Sequence, residues 1–105
     1  MSATDRLDQL KQFLEQDPED AFTRYALALE HISRKMIPEG IELLQETIQR
    51  DPSYVPAYHM LGQQFALEGR EEDARNIYQR GINAARSTGD MHAASEMQTE
   101  LDELG

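Results

Sequence analysis

The side chains best suited to chemistry in this sequence are three histidines: His31, His59 and His92. Groups of histidines can bind zinc when they project from one site. These three are separated by 28 and 33 residues, and they include no His-x3-His pair. We therefore predict no metal site. His31 is expected to fill an aromatic slot between two helices, and His92 to form an i,i+4 pair with Glu96.

Catalysis has no better support in the remaining reactive side chains. The acidic run Glu71-Glu72-Asp73 lies at a predicted helix start, where negative charge interacts favourably with the helix dipole. Ser87-Thr88 falls in a predicted turn without a matched base. The sequence has no glycine-rich phosphate loop and no cysteine, which excludes thiolate ligands, cysteine nucleophiles and disulfides. We predict no enzyme activity and no cofactor.

Composition points to one helical domain of acidic character. The chain has 105 residues, 39% of them hydrophobic, and it contains a single valine among many strong helix formers. Its net charge is −10, concentrated at both ends. Such a surface repels phosphate, so we expect no nucleic acid partner and no anionic membrane. The charge either attracts a basic partner or keeps the outer faces of the domain soluble.

The same sequence predicts a soluble, cytoplasmic protein. No apolar run approaches the roughly 20 residues that a membrane-spanning helix needs. The segment Met1-Ser2-Ala3-Thr4-Asp5 lacks the basic and apolar regions of a signal peptide.

A period of 34 residues is the strongest organising feature. Asp17-Pro18 recurs at Asp51-Pro52, and Leu27-Ala28 recurs as Leu61-Gly62. A fixed period of this length is typical of stacked supersecondary units that cannot bury their apolar faces alone. Proline, glycine and capping residues predict six helices, joined by connections short enough to favour antiparallel neighbours. Their approximate ranges are 5–16, 20–34, 38–50, 53–68, 71–86 and 91–104.

The second unit resembles the tetratricopeptide repeat, whose pattern is W-x2-L-G-x2-Y, then A-x3-F, then P. The residues that carry the resemblance are Tyr58, Leu61, Gly62, Phe65, Ala74 and Tyr78. The unit departs from the pattern at Gly81, where alanine is usual, and at Arg86, where the closing proline is missing. The missing proline suggests that the fifth helix continues past its usual end. The first unit matches less well, and Arg24 stands at its aromatic position.

The resemblance implies an all-α, right-handed solenoid of antiparallel helical hairpins. It divides the single domain 1–105 into a half-repeat helix, two repeats and a capping helix. Their ranges are 5–18, 21–54, 55–88 and 90–104.

The resemblance also implies a concave groove lined by the first helix of each repeat. It assigns seven residues to this groove: Phe22, Tyr25, Leu29, Pro56, His59, Met60 and Gln63. A lysine and asparagine clamp for a peptide carboxylate is absent, because Tyr25, Leu29 and Met60 occupy the matching places. The implied function is a protein–protein interaction scaffold that binds an apolar or basic peptide or helix.

Two alternatives stay open at this point. Some of the apolar groove residues, Leu29, Ala66 and Leu67 above all, would instead pack against the terminal helices. The protein would alternatively be a self-associating subunit, a homo-oligomer that uses its groove or the apolar flank of the first helix. That flank consists of Leu7, Leu10, Phe13 and Leu14.

Overall fold

A computed structural model of the chain describes residues 5–105. Within this range the fold is all-α, a helical repeat solenoid with six helices and no strand, which confirms the predicted class. The helices are α1 (Arg6–Gln16), α2 (Ala21–Ser33), α3 (Ile37–Arg50), α4 (Val55–Leu67), α5 (Glu71–Thr88) and α6 (Met91–Glu103). None of these helices is both long and apolar enough to span a bilayer.

The helices stack in chain order. Each packs against the next along the chain, and α6 also reaches back to α4. The molecule measures 49 × 28 × 20 Å, and its radius of gyration is 14.3 Å. A compact domain of this length would have a radius of about 13 Å. The stack is therefore elongated, as expected when units contact mainly their neighbours.

The period of the sequence is also a period of backbone geometry. Asp17 and Asp51 end α1 and α3 with nearly the same dihedral angles, φ −140° and ψ 81° against φ −137° and ψ 84°. Both precede a proline, which disfavours helical geometry at the preceding residue. Their amides donate to carbonyls four residues earlier, those of Phe13 and Thr47. The Asp-Pro pair thus ends the helix in the same way in both places.

The turn inside each hairpin also repeats. Lys35 and Gly69, 34 residues apart, both have left-handed backbones, with φ values of 66° and 75°. Glycine adopts this conformation without steric cost, whereas a residue with a Cβ does not. Gly69 therefore suits this turn, and Lys35 makes the same turn with a less suitable residue.

Small side chains let the helices of a hairpin come close together. A Cβ atom on Gly62 would lie 2.5 Å from Cε1 of Tyr78, so the tyrosine ring rests directly on the glycine. Ala28, Gly40 and Ala74 are buried as well. The space between helices is filled by large buried side chains, namely Leu27, Leu44, Leu61, Phe65 and Tyr78.

The end of the second hairpin explains the departures from the repeat pattern. Helix α5 runs for 18 residues to Thr88, which confirms that it continues past the usual end. A Cβ atom on Gly81 would lie 2.6 Å from Cβ of Tyr58 and 2.7 Å from Sδ of Met97. Glycine therefore replaces alanine where α6 packs most closely on α5. Asp90 then begins α6, because its carboxylate accepts from the amide of Ala93.

Candidate partner-binding groove

Three connected clefts run along one face of the stack, over α2, α4 and α6. The largest, here called the central cleft, has a volume of about 830 Å³. Its lining is mostly apolar and comes from α2, α4 and the end of α6 together with one α5 side chain. The lining residues are Leu29, Ile32, Ser33, Met60, Gln63, Gln64, Ala66, Leu67, Tyr78, Glu100, Glu103 and Leu104.

Smaller clefts continue this face on both sides. The α6 cleft, about 370 Å³, lies between α4 and the start of α6 and shares Met60 and Gln63 with the central cleft. The α1 cleft, about 340 Å³, lies between α1 and α2 and shares Leu29 and Ser33 with the central cleft. We call the three clefts together the groove.

All seven residues assigned to the groove from sequence line one of its clefts. Phe22, Tyr25 and Leu29 line the α1 cleft. The α6 cleft contains the four from α4, which are Pro56, His59, Met60 and Gln63. Whether a partner contacts them stays a prediction.

Two of the predicted groove residues are already engaged by α6. Nε2 of His59 donates to Oε2 of Glu100 at 2.7 Å, and Gln63 donates to Oε1 at 3.2 Å. The hydroxyl of Tyr78, on α5, donates to the same Oε1 at 2.8 Å. One carboxylate therefore joins α4, α5 and α6 beneath the central cleft.

This arrangement changes the acidity of its members. Burial alone would raise the pKa of Glu100, but hydrogen bonds from His59, Tyr78 and Gln63 outweigh burial and leave that pKa below its ordinary value. Burial, followed by the hydrogen bond to Glu100, raises the pKa of Tyr78. Glu100 is therefore an ionised acceptor at neutral pH, and Tyr78 is a neutral donor.

Tyr25 also has a structural contact. Its ring lies 5.5 Å from that of Tyr54, centroid to centroid, in a tilted arrangement that aromatic pairs favour.

Leu67 does not pack on a terminal helix, because 77% of its surface is exposed at the rim of the central cleft. That alternative is wrong for Leu67, whereas Ala66 is partly buried against the core.

The groove is acidic where it borders α6. The charged side chains of the central cleft are Glu100 and Glu103, and the α6 cleft adds Asp90 and Glu96. His92 lies 3.4 Å from Glu96, which confirms the expected i,i+4 pair. In the α1 cleft, Arg6 is paired with Glu30 at 3.3 Å.

Sequence reasoning missed the contribution of α6 to this site. Glu100, Glu103 and Leu104 lie outside the 34-residue pattern, so no repeat position assigned them to the groove. One signal was available, since residues 90–105 contain five acidic residues and no lysine or arginine.

Among residues 5–105, no three His, Cys, Asp or Glu side chains come together in a way that could hold a metal ion. His31 is buried within the first hairpin, as predicted, and its Nδ1 donates to the carbonyl of Leu27.

Known proteins share this architecture. A tetratricopeptide repeat domain protein from Salinibacter ruber, solved by solution NMR, is 39% identical with a TM-score of 0.80, and the alignment covers 84% of this chain and 89% of that one. A TPR repeat-containing protein of Pseudomonas aeruginosa is 26% identical over 98 residues, 93% of each chain. A Bordetella parapertussis protein shares the fold at 24% identity, with a TM-score of 0.81 and coverage of 97% and 89%. The family model described as tetratricopeptide repeat matches residues 1–80. With this match over most of its length, the chain belongs to the tetratricopeptide repeat family.

Proposed function

We propose that this protein is a non-catalytic interaction module that holds a peptide or helix of another protein in the groove. The tetratricopeptide repeat fold is generally a protein–protein interaction module, and its members are typically non-catalytic scaffolds. The observation that carries the proposal is the central cleft, an apolar concavity of about 830 Å³ with Leu67 exposed on its rim. Contiguous apolar surface of this kind marks contact sites on soluble proteins.

The energetics favour apolar anchoring. Leu67 and Phe22 are 77% and 65% exposed, and both border the groove. Removing apolar surface from water contributes roughly 25 cal/mol per Å². Leu67 and Phe22 are exposed on helices of the fold. A partner that covers them can therefore gain this free energy without a rearrangement of the fold.

The exposed residues allow a test that spares the core. Leu67→Ser and Phe22→Ser are expected to weaken capture of a partner from a lysate of the source cells, quantified by mass spectrometry. Their melting temperatures should stay close to that of the unmodified protein, because neither side chain is buried. Phe13→Ser is the matched control, since Phe13 is 56% exposed on α1 and lines none of the three clefts. Equal loss of the same partner with Phe13→Ser would contradict the proposal.

Self-association is the second candidate, and Phe13 favours it. The α1 flank contains this exposed ring, with the half-buried Leu7 and Leu14 on the same helix. An apolar flank can pair with a second copy through a two-fold interface. Light scattering over a range of protein concentrations tests this. A dimer that Phe13→Ser dissociates would support self-association, and a strict monomer at high concentration would end it.

A further inference from the structure

We infer that the occupant of the central cleft is an amphipathic helix of a partner protein that carries lysine or arginine beside its apolar face. This inference rests on the proposed function, and it specifies the chemistry of the partner. It depends on the acidic side chains of the cleft, on the helix C-termini that reach the cleft, and on the helical conformation of the residues that line it.

The side chains of the central cleft offer negative charge that the fold leaves available. The side chain of Glu103 is exposed and makes no hydrogen bond or ion pair to any residue in the described range. Glu100 lines the same cleft and stays ionised through its hydrogen bonds from His59 and Tyr78. No lysine or arginine lines this cleft within residues 5–105. Arg34, which follows the lining residue Ser33, is held by Asp5 and Glu30 on the α1 side.

The helix dipoles add to this charge. The last residues of α2, α4 and α6 all line this cleft, namely Ser33, Leu67 and Glu103. Helix C-termini carry partial negative charge because their last carbonyls lack partners within the helix. Three such ends at one cleft attract a cation even before side chains are considered.

The lining favours a helical ligand over an extended one. In one mode of recognition an extended peptide gains affinity by pairing its backbone with an exposed strand edge. Apart from the helix cap Leu104, every residue that lines the central cleft lies in a helix, so the cleft has no such edge. The mostly apolar lining instead suits a helix, which presents a stripe of apolar anchors at i, i+3, i+4 and i+7.

The same electrostatics disfavour a second copy of this chain as the occupant. Each copy has a net charge of −10, so two copies repel at low salt. A basic segment is attracted both over long range and at contact.

Three synthetic peptides test the inference. Each is a blocked 16-residue helix with the same leucine and methionine stripe, and its polar positions are lysine, glutamine or glutamate. They are titrated into the full chain, labelled with ¹⁵N, and followed by amide shifts at two salt concentrations. The lysine peptide should bind at least about tenfold more tightly than the glutamate peptide at low salt, and the ratio should shrink at high salt.

Two variants that each remove one negative charge test whether the lysine peptide is attracted by the central cleft. Glu103→Gln should weaken the lysine peptide by about two- to fivefold, the range expected for one exposed charge pair. Glu42→Gln removes the same charge from the exposed surface of α3, away from the groove, and should leave the affinity within error. The signals that move should include Leu29, Met60, Gln63 and Leu67.

The outcomes separate the two proposals. If all three peptides bind equally at the central cleft, the inference fails and the proposed groove function stands. If none of them shifts the cleft signals up to millimolar concentration, both fail. Equal effects of Glu103→Gln and Glu42→Gln, or shifts elsewhere on the surface, would overturn the inference. Cleft shifts that depend on the concentration of the free protein would identify a second copy as the occupant and would also overturn it.

Discussion

The Tyr78 hydroxyl donates a 2.8 Å hydrogen bond to Oε1 of Glu100 and so ties the second hairpin to α6. The other oxygen of that carboxylate accepts from His59 on α4. Together with the packing of Met97 on Gly81, this carboxylate fixes α6 beside the groove. The last helix is therefore both a cap for the stack and a wall of the candidate site.

Replacing this carboxylate should loosen α6. Glu100→Gln keeps the shape but removes the charge that strengthens three hydrogen bonds. Hydrogen bonds to charged groups are worth about 1.5–3 kcal/mol each when buried. Since the Glu100 side chain is 28% exposed, we expect a total loss of about 1–2 kcal/mol in the free energy of unfolding. Urea unfolding at pH 7 measures it, and Glu96→Gln, on the exposed side of α6, should change little.

The same site predicts a pH dependence. The folded-state pKa of Glu100 lies below its ordinary value. Its contribution is therefore present above the unfolded pKa, about 4.3, and is lost as the pH falls through the folded pKa. The stability difference between the unmodified protein and Glu100→Gln should shrink as the pH falls below about 4.3 and Glu100 becomes protonated in the folded protein. A difference that kept its neutral-pH size in strongly acidic solution would contradict the ionised-acceptor assignment.

A methyl group at Gly81 should disturb the junction between α5 and α6. Alanine gains about 1 kcal/mol in helix propensity over glycine, but its Cβ would lie 2.6 Å from Cβ of Tyr58, an atom tied to the backbone. We expect Gly81→Ala to lower the unfolding free energy by about 1–2 kcal/mol net of that gain. In Gly40→Ala the new Cβ would lie 2.5 Å from Cγ1 of Ile32 and 3.2 Å from the carbonyl oxygen of Ala28, so this variant should lower the unfolding free energy as well. Thermal melts of both variants compare them directly.

The repeated part of the fold could be predicted from the sequence, whereas the position of the last helix could not. The fold was predictable because the period fixes which residues must be small, as at Gly62, and which must leave the helix, as at Asp51. The position of α6 was not predictable, because it depends on local fit at Gly81 and Met97 rather than on the repeat. The bonds from His59 and Gln63 to Glu100 depend on that position. The α4 residues predicted for the groove line the α6 cleft, whereas the partner of His59 and Gln63 within the fold was missed.

The left-handed turn residues offer a stabilising substitution. Lys35 has a φ of 66°, and Gly69 makes the equivalent turn at 75°. A residue with a Cβ is strained there by roughly 1–2 kcal/mol, part of which glycine recovers. We expect Lys35→Gly to raise the unfolding free energy by about 0.5–1 kcal/mol. Gly69→Lys should lower it, although nothing lies within 4 Å to clash with a new Cβ atom. Chemical denaturation measures the change in unfolding free energy of both variants. Changes of opposite sign would confirm that backbone conformation is the cause.

Arg24 occupies the aromatic position of the first hairpin. Its side chain is 2% exposed, and Nη2 donates to the carbonyl of Pro18. One period later, the hydroxyl of Tyr58 donates to the carbonyl of Pro52 at 2.6 Å. Tyrosine makes this bond with its single donor, whereas Nε and Nη1 of Arg24 are buried without a hydrogen-bond partner in the described chain, and Glu46 is 3.9 Å from Nε.

Buried donors that lack partners cost stability, and replacing a buried charge by a well-packed group is often stabilising. We therefore expect Arg24→Tyr to raise the unfolding free energy by about 1–2 kcal/mol, while the reciprocal Tyr58→Arg lowers it. Arg24→Ala is the control for simple loss of packing, and it should be destabilising because it leaves a cavity. A less stable Arg24→Tyr would mean that attraction to Glu46 outweighs the unpartnered donors, so that the guanidinium itself holds the first hairpin together.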